Sequence, residues 1–406
     1  MLSGLPSHAR HVVTAGLVEA EGTQNGVGPA CVLDGFVIED GSASGGHTDP
    51  RPLHELLAKS GAGLLVYESS PTLRGVVVRG NRAQDTGGGV SVYGGKPSFV
   101  DCVVSDNQSD VHAAGLLLTT GGSPGTLTEA TFLRCTIQGN NTIPMGGGGY
   151  GGGVYVLGGS APGASVRFDR CRIVDNLSQG GGGVATSGGA RVSLQSCEIV
   201  GNSAIDTNSG TWLLGGGVEV GVGSRVLLTQ CLVAANQANT GSGLHLRGGA
   251  ELSVFQCTVA GNVHLVGRGA LYTETSALVD VRNSILADGP HLGGATVGPP
   301  VVTTGTVTVR SSIFDVAPTV AGFVSGSQGN LVAANPGFVA AASQDYRLAS
   351  TSPAIDAGNA FIDYDSLTAG SQGAPDTDLL GKPRIVAGTG SSATPLIDVG
   401  AYERQP

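Results

Sequence analysis

Two ionisable side chains recur at the same place in neighbouring segments of this chain. Glu219 in GGGVEV (215–220) and His245 in GSGLHL (241–246) each stand four residues after an opening glycine. A carboxylate beside an imidazole is an acid/base couple that can pass a proton to or from a bound substrate. Glu198 falls beside Arg172 on a neighbouring strand, while Asp101, Asp106, Asp169 and Asp175 are scattered and assemble no cluster. The bland alternative is that Glu219, His245, Arg172 and Glu198 decorate a solvated sheet face. In the tail, Asp363, Asp365, Asp376 and Asp378 form the densest carboxylate group. Hard oxygen ligands on a loop suit Ca²⁺, though the spacing matches no EF-hand. No other cofactor is implied.

A second chemistry is open to the aromatic residues. NNTIPMGGGGYGGG and IDTNSGTWLLGGG bring Tyr150 and the single tryptophan, Trp212, to one corner of the chain path, and Tyr155 follows on the adjoining strand. Rings held this way suit the apolar faces of sugars, or else they tuck the loops onto the body beneath.

What positions these residues is a repeat. Around six of the seven cysteines the chain reads FVDCVVSDN, FLRCTIQGN, FDRCRIVDN, LQSCEIVGN, LTQCLVAAN and VFQCTVAGN. The pairs are Cys102/Asn107, Cys135/Asn140, Cys171/Asn176, Cys197/Asn202, Cys231/Asn236 and Cys257/Asn262, with Val76/Asn81 one unit earlier. Asn283 and Ser311 read as later occupants of the cysteine place. The spacing never falls below 26 residues and lengthens irregularly, as expected of one fixed coil with loops inserted at its corners. Each coil also carries a glycine-opened strand, as in GGGVYV (151–156) and GGGVAT (181–186). Two or three short strands per coil predict an all-β chain, a right-handed single-stranded parallel β-helix of about ten coils. Stacked at about 4.8 Å, these make a rod on the order of 45 Å long. Like residues then meet in columns, so Asn81, Asn107, Asn140, Asn176, Asn202, Asn236 and Asn262 read as a buried hydrogen-bonding ladder.

Composition agrees. There are 69 glycines in 406 residues, well over twice the usual share. Charged residues are only 13% and aromatics 4%, so the core must be aliphatic. The net charge of −10, with no basic cluster interleaved with aromatics, argues against a nucleic-acid partner. No apolar run is long enough for a transmembrane helix. Cys102, Cys135, Cys171, Cys197, Cys231 and Cys257 share one register, whose parallel Cβ vectors stay too far apart for disulfides. They read as unpaired small core residues.

Insertions at 45–60, 141–150 and 203–214 fall at one corner, and those at 120–128 and 157–164 at the next. Loops on a rigid scaffold usually carry function. The first insertion contains DPRPLHELLAKSGAG (49–63), a predicted short helix bearing His54 and Glu55 on its solvated side.

SSPTLRGVVVRGN (69–81) and the paired GGGV and Cys-x-(Ile/Val)-x-x-Asn strings resemble the pectate-lyase-like β-helix repeats of bacterial surface and secreted proteins. They are also similar to the paired motifs of chlamydial polymorphic outer membrane proteins. NPGFVAA (335–341), DYRLASTSPAIDAGN (345–359), DLLGKPR (378–384) and DVGAYE (398–403) resemble the C-terminal module called choice-of-anchor Q. The resemblance implies a β-helix over 1–334 and a C-terminal module over 335–406. It also implies an extracellular or cell-surface setting, with the first coils and a leader expected upstream of residue 1. The expected role is an adhesin-like, non-enzymatic scaffold, acting as a monomer and binding a polysaccharide or another surface macromolecule. The alternatives are a polysaccharide lyase or glycoside hydrolase, which on this fold needs paired carboxylates or calcium-binding aspartates with a basic residue, and a structural spacer of the envelope.

Overall fold

The computed structural model of the chain describes residues 2–3, 12–18, 24–44, 59–121, 126–142, 149–159, 163–205, 214–287, 301–318, 320, 323, 325–333, 335–359, 377–384 and 397–405. Trp212, Asp363, Asp365 and Asp376 lie outside them, as does most of the helix expected in the first insertion, with His54 and Glu55.

Within each coil the path bends wherever one residue adopts a left-handed conformation. In the third cysteine repeat, Arg170 at φ 52° separates the strands Ser165–Asp169 and Arg172–Val174, and Asp175 at φ 55° separates the latter from Leu177–Ser178. The glycine-opened strand Val184–Ser187 completes the circuit. Each coil therefore has four strands, not two or three, because a single-residue bend cuts one apolar run into separate strands without a loop to announce it. Stacking gives four parallel sheets: a lead sheet of ten strands before the cysteines, a cysteine sheet of twelve, a short sheet of eight, and a glycine sheet of ten. The lead sheet keeps its register without slippage, as in Ser165↔Arg191↔Arg225↔Glu251, so coil-length differences are absorbed at corners.

The interior is a set of columns. Phe99, Phe132 and Phe168 stack with ring centroids 4.6 and 4.7 Å apart, and Leu194, Leu228 and Val254 continue the line. All seven ladder asparagines are fully buried. From Asn81 to Asn236 each side-chain amide donates to the next coil's asparagine oxygen, as from Asn140 to Asn176 and Asn176 to Asn202, both 2.9 Å, and Asn262 ends the ladder on the Val233 carbonyl. The glycine run makes room for them: a Cβ on Gly183 would lie 2.6 Å from the Gly217 carbonyl oxygen and 3.0 Å from the Asn202 amide carbon. The two motifs of the repeat are thus one steric unit.

The cysteine column has a polar task as well as a packing one. Each thiol points at the carbonyl two residues back, across the bend, as Cys171 does to Asp169 at 3.4 Å. Ser284 does the same to Arg282 at 2.8 Å, and Ser312 to Arg310 at 2.8 Å. The cysteine column therefore continues through Ser284 and Ser312. Asn283 and Ser311, expected there, are one residue off and form the left-handed bends instead, both at φ 47°. The register Thr258↔Ile285 fixes that offset.

All seven cysteines are free, six buried and Cys31 exposed. Burial pushes the Cys197 and Cys257 thiols well above their ordinary value, and their carbonyl partners leave them no reason to ionise. A thiol reagent is expected to label Cys31 alone in the native protein and seven thiols after denaturation without reductant. Fewer than seven would mean a disulfide the columns do not form.

Past the last cysteine-sheet strand, Leu331–Val332, the chain folds back along the outside of that sheet. The outward residues there change from Arg172 and Glu198 to Leu232, Ala234, Ala260, Ile285 and Ile313. Tyr346, Leu348, Ala354, Val399, Ala401 and Tyr402 close over this patch. Among the described residues no helix is long and apolar enough to cross a membrane.

Candidate functional site

The outward column of the glycine sheet runs Leu65, Ser91, Leu117, Tyr155, Ala185, Glu219, His245, Tyr272. Glu219 and His245 are therefore neighbours in space, but neither is solvated: they are 2% and 0% exposed. The glycine that opens each strand causes this. Gly215 at φ +65° and Gly241 at φ +57° fold the incoming chain over the strand, where an added Cβ would sit 2.9 Å from the Cβ of Glu219 and of His245 respectively. The solvated-face expectation fails for Glu219 and His245, because the bend overhangs the residue four places on, whereas Arg172 and Glu198 do lie on a solvated face.

The acid/base couple does not form either. Glu219 turns to Arg247, which donates from Nε to Oε1 at 2.6 Å, while its Oε2 has no hydrogen-bond partner. Burial raises the Glu219 carboxyl above the ordinary range, opposed by the Arg247 charge. His245 lies on Tyr272, with ring centroids 5.5 Å apart, and its Nε2 is 3.9 Å from Glu274 Oε1. Neither imidazole nitrogen is hydrogen-bonded. Burial, with the Arg247 charge, pushes His245 down to about 3, so it is a neutral imidazole at any working pH. Arg172 and Glu198 form an exposed pair on the cysteine sheet, 2.9 Å apart, and Asp101 pairs with Arg134 at 2.7 Å. Asp106 and Asp175 are bend residues at φ 56° and 55°.

The aromatic corner is better assembled. Tyr150 and Tyr155 have centroids 6.2 Å apart, and His112 sits 5.4 and 5.5 Å from them. The Tyr150 backbone N–H donates to His112 Nδ1 at 3.1 Å, and burial lowers the imidazole below its usual range, which keeps that nitrogen an acceptor. Arg247 lies over the Tyr150 ring at 5.9 Å, joining the rings to the Glu219 pair. Both tyrosines are half-buried. Sequence reasoning missed His112, Arg247 and Glu274. His112 and Tyr150 both immediately precede the strand-opening bend, but in the coil of His112 that bend is Ala113, at φ 54°, so no glycine run marks the place. Arg247 and Glu274 stand two residues past His245 and Tyr272, where each coil carries a different side chain.

Of the four tail aspartates considered for Ca²⁺, Asp378 alone lies among the described residues. Its Oδ1 accepts the Leu380 and Lys382 amides at 2.9 and 2.7 Å, and its Oδ2 the Glu403 amide at 3.0 Å. Three backbone donors converge on its two oxygens, so it anchors the tail. Among the described residues no group of three or more His, Cys, Asp or Glu is placed to hold a metal ion.

No curated protein matches the chain in sequence. In fold it is similar to a crystal structure of pectate lyase Pel9A at 16% identity, covering 84% of this chain and 73% of that one with a TM-score of 0.46. The family described as right handed beta helix region matches residues 130–335, just over half of the chain. With the four parallel sheets and their residue columns already evident, that match identifies the chain as a member of the right-handed beta helix family.

Proposed function

We propose that the chain is an exported or surface-held scaffold whose glycine-sheet face binds a glycan, with no turnover. The observation that carries this reading is the half-buried cluster of Tyr150, Tyr155 and His112 with Arg247 lying over Tyr150. Rings anchored by packing offer flat apolar surface at little entropic cost, and the adjacent guanidinium adds donors for hydroxyl groups. Resemblance of the repeat and of the tail motifs to those of surface and secreted proteins supports the setting. Retention on immobilised neutral and acidic glycans tests it. Tyr150→Ala is expected to weaken retention by roughly three- to tenfold, the loss of one stacking ring. Unchanged retention would remove the cluster from the binding face.

A second reading is favoured by one feature. Glu219 Oε2 and both His245 nitrogens are buried without hydrogen bonds, a condition more typical of reactive sites than of supporting ones. On that reading the protein is a polysaccharide lyase or glycosidase. Release of unsaturated products or reducing ends that disappears in Glu219→Gln would establish it and displace the binding scaffold.

A further inference from the structure

Charged residues on the outside of this solenoid follow a rule. Among the described residues, Arg79 pairs with Glu39, Arg82 with Asp110, Lys96 with Glu129, Arg134 with Asp101, Arg172 with Glu198, Arg225 with Glu251 and Arg247 with Glu219, each across neighbouring coils. Arg191 stands outside it, as do Arg74 and Arg310. The register neighbours of Arg191 are Ser165 on one side and Arg225 on the other, and among the described residues its exposed guanidinium has no ion pair or hydrogen bond. Like charges directly opposite on adjacent strands are destabilising. Arg167 stands on the same face, held by Gln195 at 2.7 Å and paired with Asp169 at 3.6 Å. Together with Ser165, Ser193 and Leu227, the arginines 167, 191 and 225 line an open groove of about 380 Å³. At the far end of the sheet Arg310 likewise lies over Arg282, which Asp280 holds at 3.0 Å as Glu251 holds Arg225, but Arg310 lines no part of the groove.

We propose that this lead-sheet groove is an anion-binding site for a linear glycan bearing carboxylate or sulfate groups. Arg191 offers an uncommitted fork of donors and Arg225, shared with Glu251, stands one coil on, so a polymer lying along the rod meets two guanidinium groups at the coil spacing. Ser165 and Ser193 supply hydroxyls for sugar oxygens. That the anion is carried by a sugar polymer rests on the scaffold reading above, whereas the preference for anions stands on the arginines alone. No aromatic side chain lines the groove to stack bases, which disfavours single-stranded nucleic acid.

Native affinity electrophoresis of the full chain tests this, in gels containing polygalacturonate, chondroitin sulfate, neutral dextran or single-stranded DNA. Retardation is expected in one or both acidic glycans, and whichever retards more names the anion. Arg191→Glu is expected to weaken it about tenfold, the loss of one charge-assisted contact. This change restores an acid opposite Arg225, the arrangement used elsewhere on the rod, so the fold is kept. Arg310→Glu makes the same change of net charge outside the groove and is expected to alter retardation little, because screening confines the effect. Equal weakening by both variants, or by neither, would overturn the site, as would stronger retardation by DNA than by either glycan. Retention on neutral glycan with no groove effect leaves the scaffold reading standing, and no retention on any glycan removes both.

Discussion

An Asn176→Ala chain is expected to lose about 3–5 kcal/mol of stability, among the largest effects available to one side chain here. Four hydrogen bonds converge on this residue. Its amide donates to Asn202 Oδ1 at 2.9 Å and to the Ile137 carbonyl at 3.0 Å, and its oxygen accepts the Asn140 backbone N–H at 3.0 Å and side-chain amide at 2.9 Å. Alanine removes all four and leaves the Asn140 donors and the Ile137 carbonyl unpaired in the interior. A buried unpaired group costs about 1–3 kcal/mol, and neighbours in one network do not add in full. Water cannot repair the loss, because the adjoining glycines close against the ladder. Asn176→Asp keeps the acceptor but loses the donors and buries a charge, so it is expected to be no better. Denaturant titration followed by two probes measures the change and detects unzipping of the solenoid from one end. A loss below about 1 kcal/mol would mean that the ladder is a passive column.

The contrast between ladder and site explains what the sequence discloses. Asn81 to Asn262 and the six cysteines face inward, where each coil imposes the same demand, so selection of one residue type repeats at a readable interval. Errors there are of register. Asn283 was mistaken for the cysteine place because it shares the column's polarity, whereas the hydrogen bond that defines the place belongs to Ser284. Outward residues obey no such demand. Glu219, His245, Arg247 and Glu274 differ from their neighbours in every coil. Whether they are wet or dry is settled by how Gly215 and Gly241 overhang them, and no periodicity carries that information. Arg191 was equally silent, since its meaning lies in the missing acid of an adjacent coil 34 residues away, at Arg225. Patterns of identity reveal a solenoid's interior; departures from pairing reveal its surface, and those need the register first.

The tail offers the second large effect, and it depends on pH. Asp378, Asp398 and Glu403 are all buried in the tail, where Arg384 is the one fully buried cation among the described residues. Three carboxyl groups and one guanidinium hold a surplus of negative charge unless a proton is kept. Burial pushes Glu403 up to about 8, from an ordinary value of 4.5, with Asp398 adding repulsion and Arg384 opposing it. Burial also raises Asp398, which accepts the Asp356 and Arg404 amides at 2.8 and 2.7 Å. Between pH 4.5 and 8 the folded tail therefore binds a proton that the unfolded chain releases. Linkage then gives a stability that is full below the ordinary carboxylate range and declines as pH rises to about 8. The loss is on the order of 2–4 kcal/mol. Because Tyr346 and Tyr402 cover Leu232, Ile285 and Ile313, loosening the tail uncovers an apolar patch on the cysteine sheet. Lower unfolding temperature, altered near-ultraviolet tyrosine dichroism and association of the rods are expected together as pH rises from about 5 to 8. Glu403→Gln keeps an acceptor for the Asp398 amide but cannot ionise, so it is expected to flatten that dependence. The buried thiols are unchanged in this variant, so comparison with the parent isolates the contribution of the tail carboxyl. A wild-type midpoint constant from pH 5 to 9, or an equal slope in Glu403→Gln, would mean that Arg384 already holds Glu403 as the anion and that the tail is docked by its apolar contacts alone.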